Sequence, residues 1–280
     1  MKNSCFIALC SALLAAFLLC GCGTGDGGGV ITVIHSSDTH SCIEPNRARR
    51  AGFAGRDAFV CAVRDSVGED SLLLLDCGDF SQGSLYYDIY KGAFEIDAMN
   101  LLRYDASAIG NHEFDFGLDN LASLLKRAAF PMLCANIDFT GTPCEGLVKP
   151  YVIVEKAGKK VGLFGLSPNL DGLVLKEHYE GVVCLSPIEA ARECVRKLCD
   201  EGCELVVCLS HLGFDIPGRC NDELLAAMTD GIDIILGGHS HDLFSEPQVR
   251  KNRLGKDVVI NHTGKFGSSV GLLSVDFCNR

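Results

Sequence analysis

The sequence contains no extended lysine- and arginine-rich stripe, no Cys-x-x-Cys pair, no internal repeat and, beyond residue 29, no low-complexity block or interdomain linker. Without a basic stripe, and with a formal charge of −11, the surface repels polymeric nucleic acid rather than collecting it. The charge serves solubility, and it still admits a small phosphate ester wherever bound cations reverse the local field. Without Cys-x-x-Cys spacing, a structural zinc site is not expected. Without a linker, residues 30–280 read as one domain, and 48% hydrophobic residues suffice for its core. The one long apolar run, Phe6 to Leu19, is too short and too abruptly ended to span a bilayer.

That run has another use. Lys2 precedes it and Gly21-Cys22 follows it, the order of a secretory signal: a basic start, an apolar core and a small residue before the cut. Leu19-Cys20-Gly21-Cys22 resembles the bacterial lipobox, in which the last cysteine is lipidated. Residues 1–21 are therefore expected to be a signal peptide, Cys22 the lipid-bearing first residue, and 22–29 a glycine-rich tether. The expected location is the bacterial cell envelope, reached by export and held by the anchor. Of sixteen cysteines, those in the domain lie singly in apolar runs (Cys77, Cys134, Cys208) or helix-like stretches (Cys61, Cys194, Cys199, Cys203). The expectation is mostly free, buried thiols.

Short apolar runs alternate with helical spacing along the domain. Val30–His35, Leu72–Asp76, Ala106–Ile109, Phe130–Ala135, Lys160–Leu166, Glu204–Leu209 and Asp233–Leu236 read as buried strands. Arg47–Val67, Glu95–Leu102, Leu118–Ala129, Pro187–Glu201 and Asn221–Ala227 read as helices, the fourth opened by Pro187 and closed by Gly202. This alternation implies an α/β sandwich with largely parallel strands. Asp257–Asn261 and Gly271–Phe277 have strand composition with no helix between them, so antiparallel strands are expected at the C-terminal end.

Five polar clusters stand where the strands end, the edge at which open α/β sheets bind ligands. They are Asp38-Thr39-His40, Gly78-Asp79, Gly110-Asn111-His112-Glu113-Phe114-Asp115, Ser210-His211 and Gly237-Gly238-His239-Ser240-His241. Carboxylate and amide oxygens with imidazole nitrogens suit divalent transition metals. The i, i+2 spacing of Asp38/His40 and of His239/His241 puts both side chains on one side of an extended backbone. Each cluster alone is weak; the ordered series is not.

The series Asp-x-His, Gly-Asp, Gly-Asn-His-Glu, His, Gly-Gly-His-x-His resembles the calcineurin-like metallophosphoesterases. Ala108 to Asp115, Gly78 to Gly83 and Gly237 to Asp242 are similar to their bacterial 5′-nucleotidase branch, and the likeness runs from about Val30 to Phe277. The resemblance implies two mixed β-sheets flanked by helices, in α-β-β-α layers. It implies two divalent ions, manganese, zinc, cobalt or iron. Asp38, His40, Asp79 and His241 would hold one, and Asp79, Asn111, His211 and His239 the other, with Asp79 bridging. His112 would face the phosphate as the acid–base group, and Asp115 would orient its imidazole. Glu113 and Asp76 read as supports, and His35, His178 and His262 as ordinary core or surface residues.

His241 stands where some relatives have Gln, Ser37 where many have Asn, and Ser41 where many have Gly. In the 5′-nucleotidases resembled, a second, C-terminal domain grips the nucleoside; no such domain is expected within 30–280, so the expectation is a chain that acts alone or with a separate chain that supplies it. The implied activity is hydrolysis of phosphate esters, 5′-nucleotides first. The alternatives are cyclic nucleotides, nucleotide sugars, general phosphomonoesters, a thiosulfate ester as in a related branch, or metal binding without turnover. If the chain does select nucleosides, the loops at Asn169–Tyr179 and Phe214–Asn221 are the places for a pocket.

Overall fold

Strands that are apolar on both faces need cover on both sides, and the molecule provides it in four layers. The computed structural model describes residues 29–45 and 51–279. The expected signal peptide, Cys22, the tether up to residue 28 and the expected helix start at Arg47 lie outside the described residues.

The first half of the chain runs β1 (Val30–Ser36), α1 (Gly52–Val67), β2 (Leu72–Asp76), α2 (Leu85–Tyr90), α3 (Ala93–Leu102), β3 (Ala106–Ala108), α4 (Gly117–Arg127) and β4 (Met132–Leu133). A short β5 (Ile137–Asp138) leads to β6 (Tyr151–Lys156) and β7 (Lys159–Leu166). Then follow β8 (Val183–Cys184), α5 (Pro187–Asp200), β9 (Leu205–Ser210), α6 (Asp222–Met228), β10 (Ile234–Gly237), β11 (Gln248–Lys251), β12 (Asp257–His262) and β13 (Gly271–Asp276). One sheet has the order β13-β1-β2-β3-β4 and the other β11-β12-β10-β9-β7-β6. The first is parallel from β1 to β4 with β13 antiparallel at one edge, and the second is parallel in its centre with antiparallel strands at both edges, so both sheets are mixed, as expected.

Side-chain alternation builds the layers. Leu73 and Leu75 of β2 face the second sheet with Ile31 and Val33, and meet Leu163, Val207 and Leu236 in one buried cluster. Leu72 and Leu74 point the other way, onto Val60 of α1, Ile96 of α3 and Leu121 of α4. In the second sheet Val206, Cys208 and Ile235 turn outward onto Leu198 of α5 and Leu225 of α6. The period of two thus fills the central core and both flanks at once. Helix α5 is set as the sequence indicates: Ser186 caps it by accepting from the Glu189 N–H, and Pro187 occupies its first turn.

Three expectations need correction. Asp257–Asn261 is not purely antiparallel: β12 lies parallel to β10 and antiparallel only to β11. The chain leaves β10, runs back along the edge as β11, and reverses again, so two reversals restore the direction. Strand β13 pairs antiparallel with β1, as expected. Second, the elements β6, β11 and α2 carry no clear period and lie outside the expected set. Third, all twelve described cysteines are unpaired, but Cys61 and Cys199 are exposed and Cys203 is half-buried. Within α1 the inward residues are Arg56, Val60, Val63 and Arg64; Cys61 is one step round the helix and faces water. No helix among the described residues is long and apolar enough to cross a membrane.

Candidate metal centre

The carboxyl ends of β1, β2, β3, β9 and β10 deliver Asp38 and His40, Asp79, Asn111 and His112, His211, and His239 with His241. All seven residues expected to bind metal converge. The ligand atoms of Asp38, His40 and His241 lie within 4.8 Å of one another, and so do those of Asp79, His211 and His239. Asn111 is buried beside them, its Oδ1 without a hydrogen-bond partner among the described residues. The two groups contain six of the seven residues expected to bind metal.

The loops reach this arrangement under strain. Asp38, His40, Asp79, His239 and His241 all have positive φ, between 44° and 72°, a region that costs a non-glycine residue about 1–3 kcal/mol. Backbone bonds hold them there: Asp38 N–H donates to Gly78 O at 2.9 Å, His40 N–H to Asp79 O at 3.0 Å and Gly238 N–H to Ser210 O at 3.0 Å. Across the two sheets, His239 N–H donates to the Asp38 carboxylate at 3.0–3.1 Å. Two glycines make the approach possible. A Cβ on Gly110 would sit 2.2 Å from Asp79 Oδ1, and one on Gly238 would sit 2.8 Å from Asp38 Oδ2.

The donor chemistry fits cations. His211 is fully buried, and its Nδ1 donates to Cys77 O at 2.6 Å. That turns Nε2 toward the site, where, against burial, the Asp79 charge raises the imidazole to about 10. Nε2 lies 3.0 Å from Asp79 Oδ2, yet the pair is not aligned as a hydrogen bond. His40 Nε2 and His241 Nε2 confront each other at 3.1 Å, an arrangement in which at most one can carry a proton. Burial, ahead of neighbouring charges, holds His40 down to about 4 and His239 to about 4, and lowers His241 as well. These imidazoles are in the neutral, ligating form. Burial also pushes the Asp38 carboxyl up to about 7, with the Asp79 charge adding to it. Asp79 itself is held below the usual range, because His211 and then His112 outweigh its burial. A buried carboxylate pair facing His40, His239 and His241 in the neutral form is what a divalent cation resolves.

His112 differs from the residues expected to be ligands. Its Nδ1 lies 2.8 Å from Asp115 Oδ2, and its backbone N–H donates to Asp79 Oδ1 at 2.9 Å. Against burial, the Asp115 bond and the Asp79 charge raise it to about 9. Asp115 therefore serves the imidazole and does not cap α4, whose preceding residue, Phe116, makes no side-chain cap. His112 also comes within the same 4.8 Å of His40 and Asp79, so it faces the point at which the two groups meet.

The supports are in place. Glu113 accepts backbone N–H bonds from Asp79, Ser81 and Gly110. Asp76 ties β1 to β3 by accepting from Ser36 and Ser107 hydroxyls. His35 and His262 are buried core residues, bonded to Asn261 and Asp222, and His178 lies in a surface hollow beside Asp115. Sequence reasoning missed three neighbours. Phe266 packs on the His40 ring at 5.6 Å, the Lys265 charge is felt at His241, and the Arg219 charge at His239. Phe266 and Lys265 follow β12, and the strand-end rule would have found them had β12 been read as parallel.

The comparisons agree with this geometry. A model of the calcineurin-like phosphoesterase family matches residues 31–243. The human 5′-nucleotidase is 31% identical over 280 residues, covering 91% of this chain and 48% of that protein. The structure of the 5′-nucleotidase precursor from Thermus thermophilus superposes with a TM-score of 0.80 at 36% identity, covering 88% of this chain and 51% of that one. The Haemophilus influenzae NAD nucleotidase gives a TM-score of 0.78 at 25% identity, with coverages of 89% and 48%. The chain spans about half the length of these relatives. On the match of the family model over most of its length, the chain belongs to the calcineurin-like phosphoesterases.

Proposed function

We propose that this protein is a phosphohydrolase that cleaves phosphate monoesters, 5′-nucleotides among them, with two divalent cations. The observation that carries the reading is the meeting of two ligand groups with the His112–Asp115 pair at one edge of the sandwich. Asp38, His40 and His241 would hold one cation, Asn111, His211 and His239 the other, and Asp79 would reach both. When bound, the cations supply Lewis-acid charge that polarises the phosphoryl group and lowers the pKa of a nearby water.

The chain's own residues supply the rest. His211 Nδ1, tied to Cys77 O, keeps that imidazole aimed at the site. Asp115 holds the proton on His112 Nδ1 and so sets which ring nitrogen faces the ester, from which a proton can pass to the leaving oxygen. The Glu113 tie keeps the Asp79 and Asn111 loops in register. Human 5′-nucleotidase and the NAD nucleotidase are named for nucleotide substrates, which supports nucleotides here.

The test is phosphate release from AMP and from phenyl phosphate with manganese, zinc or cobalt supplied. Chelation should abolish it, and Asp79→Asn should lower turnover by orders of magnitude in a folded protein. Near-normal turnover after metal removal would end the proposal. The proposal includes the route: a signal peptide over 1–21, lipidation at Cys22 and a tether to a catalytic domain spanning 30–280. Mass spectrometry of the native N-terminus decides that part, because an unmodified N-terminus beyond Cys22 contradicts it.

A further inference from the structure

A cavity of about 510 Å³ opens beside His239, between the loop that follows β7 and the loop that follows β9. Pro168, Leu185 and Leu212 give it apolar walls. Its polar lining divides into committed and uncommitted groups. The Asn136 side chain is satisfied by both backbone groups of Ser167, and Ser186 caps α5. Asn169 Oδ1 accepts from the Asp171 N–H, which leaves the Asn169 amide NH₂ unused. The carboxylate of Asp171 and the guanidinium of Arg219 pair with no described residue. Arg219 reaches across the opening: a Cβ on Gly172, in the opposite loop, would lie 3.9 Å from its terminal nitrogen. One acceptor, two sets of donors and apolar walls thus adjoin a residue of the metal centre.

Resting on the phosphohydrolase reading, we propose that this cavity binds the nucleoside of a nucleoside monophosphate whose phosphate lies at the metal centre. The volume falls in the range of small-molecule sites and exceeds what a nucleoside needs. A carboxylate matches the vicinal hydroxyls of ribose, because it can accept from both. The Asn169 amide and the Arg219 guanidinium match ring and carbonyl acceptors of sugar and base. Among the described residues no Phe, Tyr or Trp lines the cavity, so base stacking contributes little and the identity of the base matters less than the ribose. The pocket is therefore built from this chain's own loops, and Asp171 and Arg219 are specificity-determining residues.

The experiment compares the full chain, loaded with manganese, against Asp171→Ala and Arg219→Ala, using AMP and phenyl phosphate. The ratio of kcat/KM for AMP to that for phenyl phosphate should fall about 10–100-fold in each variant, the worth of one hydrogen bond to a charged group. Changing the base from adenine to hypoxanthine should move kcat/KM of the parent by no more than about threefold. A second measurement does not need turnover: equilibrium dialysis of adenosine against the metal-free chain should show binding that either substitution weakens at least tenfold. An unchanged substrate ratio in both variants overturns the proposal, as does failure of the parent to bind adenosine at millimolar concentration. If the parent releases phosphate from neither ester, the phosphohydrolase reading fails, and the dialysis still decides the pocket.

Discussion

Glu113 carries no chemistry in the reaction, yet its removal should cost both stability and metal affinity. The residue is 1% exposed. Its Oε2 accepts from Asp79 N–H at 3.0 Å and Gly110 N–H at 2.7 Å, and its Oε1 from Ser81 N–H at 3.1 Å. One carboxylate thereby ties the loop bearing Asp79 to the loop bearing Asn111. Glu113→Gln keeps the shape and replaces one acceptor with a donor. In the better orientation the new NH₂ faces the Ser81 N–H, leaving two buried donors unpartnered at about 1–3 kcal/mol each. A loss of about 2–6 kcal/mol should lower Tm by about 4–24 °C in a domain of this size. Metal affinity should fall about 10–100-fold, as for other groups that orient ligands. Glu113→Ala orphans three N–H groups and should do more on both counts. Thermal unfolding and metal titration of the three proteins are the assay, and excess metal should restore kcat to Glu113→Gln. If Glu113→Ala unfolds within a degree of the parent and binds metal equally well, the loops are held by something else and the reasoning fails.

Two further substitutions separate catalysis from folding. His112→Asn should retain both metals and lower kcat by about 10²–10⁴-fold, the contribution of a positioned acid–base group; loss of metal stoichiometry in a folded variant would make His112 a ligand instead. His35 tests the core. Burial, and after it the charge of His262, holds its pKa down to about 3 from 6.5, so the fold keeps it neutral while the unfolded chain takes up a proton below 6.5. Its contribution is complete above pH 6.5 and is lost as pH falls toward 3. From pH 6 to pH 4 the parent should lose about 2.5 kcal/mol more than His35→Gln, measured by urea unfolding. Parallel acid limbs for the two proteins would contradict the burial argument.

The sandwich and the donors were legible because both depend on residue type and local order. Leu72 to Leu75 is apolar on both faces wherever it packs, and five polar clusters in one order, each after a strand, point to a site that no single cluster could. What stayed hidden depends on partners far along the chain. The direction of β12 follows from where β11 docks, and its Val258 to Asn261 sequence fits either direction. Glu113 read only as a support because its partners Asp79 and Ser81 are 34 and 32 residues away. Arg219 and Asp171 are single charges in loops until the fold sets those loops on either side of one opening. Cys61 and Cys194 look alike in sequence and part only by the face of the helix on which each sits.

The same distinction bears on how the site is held together. The proposed ligands come from both sheets: Asp38, His40, Asp79 and Asn111 from one, His211, His239 and His241 from the other. The site therefore exists only while the core between the sheets, Ile31, Val33, Leu75, Val207 and Leu236 among them, stays packed. Five of these residues in left-handed conformations cost together about 5–15 kcal/mol, which is comparable to the whole stability of a typical domain. Burial in the core must offset that strain before any metal arrives, because the loops cannot relax without pulling Asp38 from the His239 N–H across the sheets. Cations that bind only the folded arrangement then add stability by mass action. Metal binding and sheet packing are in this sense one equilibrium, and a cavity cut into the core at Leu75 or Val207 should weaken metal binding although neither side chain reaches the site.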